Sequence, residues 1–228
     1  MEVDVIPFNA ARARTAAHLA HSVATAVHAL LVEEVDYGAV ERARRDAGLT
    51  YLPFVARAVV DALRAFPDVN ASVVDGGLLR HTDLNLGVAV DLGFDGLVVP
   101  VVHQADRLRL RALAESIADL AERARSKRLL PADVDGGTFT ITNVGSRNTL
   151  SSAPIINHPQ VAILSMDGVR PRPTAQPDGS GGYALVVRPI GHLSFAFDHR
   201  AFDGAYASAF LDAVRERIEQ HDWEAELA

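Results

Sequence analysis

The segment that most restricts how this chain can fold runs from His192 to Gly204. Leu193, Phe195 and Phe197 share one parity, and His192, Ser194 and Asp198 take the other, the pattern of a strand with one buried face. The alternation stops at Asp198, and Gly204 opens the amphipathic run Tyr206 to Ile218. His199 and Asp203 therefore lie on a strand-to-helix connection, where a side chain can be aimed at a ligand. A histidine in that place can take up a proton near neutral pH. Alone, His-x-x-x-Asp-Gly is a short motif that also arises by chance.

The rest of the chain mixes helices and strands. Asn9 is placed to cap a helix over about Ala10 to Thr25, after an extended arm at 1–8. That helix carries Arg12, Arg14, His18 and His21, and the two histidines read as part of a solvated polar face. Val27 to Val35 reads as a strand with His28 near its start, either a packed histidine or a site residue. Helices follow over Tyr37 to Ala47 and Leu52 to about Phe66, the second with proline in its first turn. Asp75-Gly76-Gly77 joins a hairpin. Leu84 to Asp91 reads as one strand, Gly93 to Gly96 as a turn, and Leu97 to His103 as a central strand, although Pro100 argues for an edge or a bulge. The stripe Leu110, Leu113, Ile117, Leu120, Ala124 predicts an amphipathic helix. Thr138 to Asn143 and Val161 to Val169 read as strands, with a polar segment at 145–152 between them. Arg170 to Gly182, rich in proline and glycine, reads as a mobile hairpin loop, and Tyr183 to Phe197 as the long strand leading to His199. No repeat and no convincing linker appears, so one domain over 1–228 is expected. Its class is α+β, a mixed α/β sandwich with flanking helices.

Composition excludes several kinds of chemistry. With no cysteine there is no disulfide, thiolate metal site or cysteine nucleophile, and no other metal-ligand pattern is evident. A net charge of −7 argues against a general nucleic-acid binder. No apolar run approaches the ~20 residues of a membrane span, and the acidic start Met1-Glu2-Val3-Asp4 is unlike a secretory signal. A cytoplasmic or equivalent reducing compartment is expected.

Read together, a series of motifs resembles one family. Val5-Ile6-Pro7-Phe8 with Arg12, Leu52-Pro53-Phe54 and Pro67-Asp68-Val69-Asn70-Ala71 come first. Asn85-Leu86-Gly87-Val88-Ala89-Val90-Asp91, Gly96 to Val101, Gly137 to Gly145, Ala153 to Asn157 and Gln160 to Leu164 follow. Asp198-His199-Arg200 with Asp203-Gly204 closes the series. In this order, over residues 5–220, they resemble the catalytic domain of the dihydrolipoamide acyltransferases of 2-oxo acid dehydrogenase complexes. The resemblance implies a fold like that of chloramphenicol acetyltransferase, a homotrimer with active sites between subunits, and further assembly into 24- or 60-subunit cores. It also implies dehydrogenase and dihydrolipoamide dehydrogenase components as partners, and a lipoyl group carried on a domain outside this chain. Lipoyl and peripheral-subunit-binding domains have no counterpart in these residues.

The implied reaction moves an acyl group between the thiols of dihydrolipoamide and coenzyme A. A thiol near pKa 8–9 is mostly protonated at pH 7, so a base is needed, and the resemblance assigns His199 to it. Thr142 read alone is a β-branched strand residue suited to packing. The resemblance makes its hydroxyl the donor to the tetrahedral oxyanion, with Asn143 and Gly145 shaping the loop around it. Asp203 is expected to shape the His199 loop, by pairing with Arg12 first or Arg200 second, and Asp203→Asn to lose activity through misplacement of His199. Gly204 is expected to permit a backbone conformation or a close approach that a Cβ would obstruct. Ser165 and the Asn157 turn are candidates for the coenzyme side, with His103 a further one. An acetyl or branched-chain substrate is favoured over succinyl. The competing readings are a free-standing acyl-CoA-dependent enzyme acting on a small-molecule acceptor, and a non-enzymatic oligomeric scaffold.

Overall fold

The computed structural model describes residues 4–93, 96–145 and 149–227. Its spine is a seven-stranded mixed sheet. The strands are β1 (His28–Asp36), β4 (Leu86–Val88), β7 (Val101–Val102), β8 (Phe139–Asn143), β9 (Ala162–Met166), β10 (Arg170–Pro177) and β11 (Tyr183–Asp198). They lie in the order β1-β11-β9-β8-β4-β7, with β10 also on β11. β8 runs parallel to both β4 and β9, whereas β11 is antiparallel to β1, β9 and β10. A hairpin of β2 (Ala71–Val74) and β3 (Gly77–Arg80) and a small pair of β5 (Val90–Asp91) and β6 (Leu97–Val98) stand apart from it.

The two faces of the sheet are covered differently. Leu193, Phe195 and Phe197 of β11, Leu164 of β9, and Phe139 and Ile141 of β8 point into the main core. There they meet α3 (Leu52–Ala65), α4 (Leu110–Arg125) and α5 (Gly204–Gln220). Burying such side chains contributes about 1.5–3 kcal/mol each, which fixes the parity of β11. The opposite parity faces only a small cluster of Ala26, Ile156, Ile163 and Ala196. α1 (Ala10–Thr25) lies over this side with Ser22 its one buried residue among those described. Asn9 caps α1, its Oδ1 accepting from Arg12 N–H at 2.7 Å. α2 (Gly38–Ala47) ends at Gly48, whose φ of +67° is the left-handed stop that glycine tolerates.

The structure corrects the sequence reading in three places and adds one element to it. The run Leu84 to Asp91 is broken at Ala89, so that β4 joins the main sheet and β5 the small one. Leu97 to His103 is likewise split around Pro100, and β7 is a sheet edge rather than a central strand. Proline removes a ladder N–H, which explains the break. The segment read as a mobile loop from Arg170 is instead strand β10, paired with β11 from Arg170↔Ile190 to Pro177↔Tyr183. Pro171 faces Pro189, a pair that exchanges no N–H bonds, so Pro173 and Pro177 on the same parity also turn their nitrogens to the open edge. Last, a short helix α6 (Trp223–Leu227) follows α5. Trp223 is buried edge-on to Phe54 at 5.3 Å and donates its indole N–H to Ile218 O at 3.0 Å. Phe94 and Asp95 of the expected turn, and Ser146 to Asn148 of the polar segment, lie outside the described residues.

Candidate active site

The sparsely covered face of the sheet carries the polar residues. Register places Thr142 of β8 beside Ser165 of β9, and Ser165 beside Ser194 of β11. Thr142 is half-buried and lines a cavity of about 730 Å³. The other walls are Val98 and Val99, Val144, the segment Ser152–Ile155, and the α1 side chains Arg14, His18 and Leu19. Among the described residues the Thr142 hydroxyl makes no hydrogen bond within the chain, so it is free to donate into this largely apolar space. Asn143 Oδ1 accepts from Gly145 N–H at 3.0 Å and closes a tight turn just beyond Thr142. Gly145 is needed there because a Cβ would stand 2.7 Å from the Asp167 carbonyl oxygen.

His199 sits elsewhere. β11 carries the chain five residues past Ser194, and two strand spacings separate Ser194 from Thr142. At about 3.3 Å per residue and 4.8 Å per strand, the two side chains of one subunit are roughly 20 Å apart. His199 is half-exposed, its ring tilted against Phe197 at 5.5 Å and its backbone N–H donating to Val27 O at 2.8 Å. Its Nδ1 lies 3.7 Å from Asp203 Oδ1, beyond hydrogen-bond reach.

The loop is held by another residue. The buried Asp198 carboxylate accepts from Arg200 Nε at 3.0 and 3.1 Å and Nη2 at 2.6 Å, and from the backbone N–H groups of Arg200 and Val27 at 3.1 and 3.2 Å. Burial acts to raise the pKa of Asp198, but these donors outweigh it and hold the carboxyl below its ordinary 3.8.

Several expectations are therefore corrected. Asp203 is 89% exposed at the start of α5, and among the described residues no ion pair joins it to Arg12 or Arg200. Arg200 is taken by Asp198. Within the subunit a Cβ on Gly204 would meet nothing within 4 Å, so close packing does not account for that glycine. Ser165 is fully enclosed, its hydroxyl 2.8 Å from Ser152 Oγ and 3.3 Å from Asp167 Oδ1, and cannot touch a coenzyme. Asn157 does line the cavity. Its Nδ2 donates to Thr140 Oγ1 at 3.2 Å and its Oδ1 lies 2.9 Å from His18 Nε2. His103 lies 3.0 Å from Ala132 O, away from the cavity lining.

The sequence reading missed Arg14, His18 and Ser152 as cavity residues. Arg14 and His18 are four residues apart, on the stripe of α1 that also holds Thr15, Leu19 and buried Ser22. That spacing was the available signal. His21 is likewise not simply solvated, since its ring meets His158 edge-on at 4.7 Å. His28 proves to be a clasp, with Nδ1 3.3 Å from Ala26 O and Nε2 accepting Ile156 N–H at 3.1 Å. Among the described residues no group of three or more His, Asp or Glu is gathered to hold a metal ion.

Comparison with known proteins places the chain among relatives of known family. A dihydrolipoyllysine-residue acetyltransferase component of the pyruvate dehydrogenase complex from Mycobacterium tuberculosis is 44% identical over 186 residues, 81% of this chain and 34% of the relative. The chain thus spans about a third of the length of that relative. The structure of a dihydrolipoamide acetyltransferase from Azotobacter vinelandii aligns with a TM-score of 0.89 and 33% identity, covering 100% of this chain and 95% of that one. That structure was used to study a serine, a histidine and an asparagine four residues past the histidine in the catalytic mechanism. The cubic core of a pyruvate dehydrogenase multienzyme complex aligns equally well, with a TM-score of 0.89 and 32% identity over 100% of this chain and 95% of that one. Chloramphenicol acetyltransferase, at 13% identity and a TM-score of 0.58 over 89% of this chain and 94% of that one, shares the fold. The family model for the 2-oxoacid dehydrogenases acyltransferase catalytic domain matches residues 1–225, and the chain belongs to that family.

Proposed function

We propose that this chain transfers an acyl group, acetyl in the first place, between dihydrolipoamide and coenzyme A within a 2-oxo acid dehydrogenase complex. The observation that carries the reading is the unpartnered Thr142 hydroxyl in an apolar cavity, in a chain that also presents a half-exposed His199 on a pinned loop. In the direction of coenzyme A acylation, the imidazole of His199 takes the coenzyme A thiol proton. The thiolate then attacks the thioester carbonyl of acyl-dihydrolipoamide. The Thr142 hydroxyl donates to the oxyanion that forms, a contact worth roughly 3–4 kcal/mol when preorganised. Collapse breaks the bond to the lipoyl sulfur, which leaves as a thiolate and takes the proton back from His199.

The distance between the two residues in one subunit supports assembly. Thr142 and His199 act on one thioester only if they come from neighbouring subunits, and a homotrimer supplies three such sites. The resemblance to a cubic core supports a larger particle built from trimers. In the complex, the lipoyl group arrives on a domain outside this chain, and the dehydrogenase and dihydrolipoamide dehydrogenase components are the partners. The 44% identity to an acetyltransferase component supports acetyl as the group transferred.

The test is acyl transfer from acetyl-, isobutyryl-, isovaleryl- and succinyl-CoA to free dihydrolipoamide, with His199→Ala as control. Turnover with acetyl-CoA that disappears in the variant supports the proposal. Absence of turnover with every donor, from folded oligomeric protein, overturns it and favours a scaffold or a free-standing enzyme with another acceptor.

A further inference from the structure

The cavity wall beside Thr142 rests on a buried carboxylate that the transfer chemistry does not use. Asp167 is fully enclosed. Its Oδ1 accepts from Ser152 Oγ at 2.9 Å and Ser165 Oγ at 3.3 Å, and its Oδ2 from Ser194 Oγ at 2.6 Å. Ser194 in turn accepts the Ser152 backbone N–H at 3.4 Å. All three hydrogen-bond contacts of Ser152, to Asp167, to Ser165 Oγ at 2.8 Å and to Ser194, thus lead to the same carboxylate.

The backbone explains why the carboxylate is there. Between the pairs Leu193↔Met166 and Arg170↔Ile190 lie three residues on one strand, 167–169, and two on the other, 191–192. This is a β-bulge, a device that re-aims side chains beside functional sites. Asp167 N–H still reaches His192 O at 3.0 Å, Val144 N–H reaches Met166 O at 3.2 Å, and Gly168 N–H reaches Thr149 O at 2.8 Å. The turn after Thr142 and the segment before Ser152 are therefore both moored to the bulge. The charge there is felt nearby: burial first, and the Asp167 carboxylate second, push the Tyr37 phenol up.

The wall it holds has no ladder of its own. Residues 151–157 form no helix or strand, yet Ser152, Ala153, Pro154 and Ile155 line the cavity. We propose that Asp167 is a positioning residue that sets which acyl groups the cavity accepts, by holding the Ser152–Ile155 wall beside Thr142. This rests on the acyl-transfer reading of the cavity. A wall that retreats changes little for an acetyl group, which is small, but makes room for the two extra methyl groups of isobutyryl. A methylene more or less in an apolar pocket changes selectivity roughly tenfold or more.

The experiment compares kcat/KM for isobutyryl-CoA with that for acetyl-CoA in wild type, Asp167→Asn, Ser152→Ala and the double variant. The ratio is unaffected by any inactive fraction, so partial misfolding does not move it. The expected result is a ratio raised roughly fivefold or more in Asp167→Asn and raised in Ser152→Ala, with the double variant no higher than Asp167→Asn alone, because both act through one contact. A ratio unmoved or lowered in Ser152→Ala overturns the inference, even if Asp167→Asn fails to fold. Thr142→Val separates the two levels. If it keeps full activity, the acyl-transfer reading of the cavity falls. If it loses activity while the ratio stays fixed in the other variants, only the role of Asp167 falls.

Discussion

Asp198 and Arg200 grip each other across His199, the guanidinium reaching both carboxylate oxygens at 2.6–3.1 Å while the histidine between them stays half-exposed. The residue before the proposed base and the residue after it are thus locked to each other, and through Val27 N–H to the start of β1. Replacing Asp198 by Asn keeps the shape but removes the charge that gathers four donors. We expect Asp198→Asn to lower kcat at least tenfold, with a stability loss of about 1–3 kcal/mol. Steady-state kinetics beside urea unfolding checks both.

The same carboxylate sets an acid limit. Its pKa is lower in the fold than the ordinary 3.8, so the unfolded chain binds the proton more readily. The stabilisation from Asp198 is complete above that ordinary value and is lost as pH falls through the lower, folded value. The gap in Tm between wild type and Asp198→Asn should be constant over about pH 5–7 and close below about pH 4. A gap that instead widens in acid would contradict the assignment.

Asp203 should behave in the opposite way. It is exposed and 3.7 Å from His199 Nδ1, so folding does not depend on it. Asp203→Ala and Asp203→Asn should both leave Tm within about 1 °C, as surface changes commonly do. Activity should fall in both, and less in Asp203→Asn, because its amide oxygen can still orient the His199 ring by accepting from Nδ1–H. Equal activity in Ala, Asn and wild type would remove Asp203 from the mechanism.

His28 offers a test of the floor under the cavity wall. Truncation to Ala leaves the Ile156 N–H without its acceptor, at a cost of about 1–3 kcal/mol. Urea unfolding of His28→Ala should show that loss, and His28→Gln, whose amide oxygen can accept the same N–H, should recover part of it.

Subunit sharing is open to complementation. Co-expressed Thr142→Val and His199→Ala subunits, each inactive alone, should form mixed oligomers with activity restored at the sites that receive one intact partner of each kind. No recovery, in oligomers shown to be mixed by mass spectrometry, would place both residues in one subunit.

Much of this was legible in the chain, for reasons that differ by residue. Leu193, Phe195 and Phe197 announced β11 because burial on one face imposes a period of two, and Asn9 and Gly48 marked helix ends because caps are local chemistry. The proline-rich β10 was misread because a strand whose partner lies across a turn is stabilised by pairing that composition does not display. Asp203 was given the wrong partner because four residues of spacing do not reveal which carboxylate an arginine will choose, and Asp198 lay nearer. Ser152 and Asp167 were invisible since their contact crosses 15 residues and depends on a one-residue bulge.

The open edge of β10 has a consequence for crowding. Pro171, Pro173 and Pro177 leave Ala175 as the one residue on that parity able to offer an N–H outward. A foreign strand finds no row of donors to copy, so this border cannot seed runaway self-templating, the usual hazard of a long exposed strand. Whatever docks along it must be recognised by side chains, and side chains discriminate between partners in a way that backbone pairing does not.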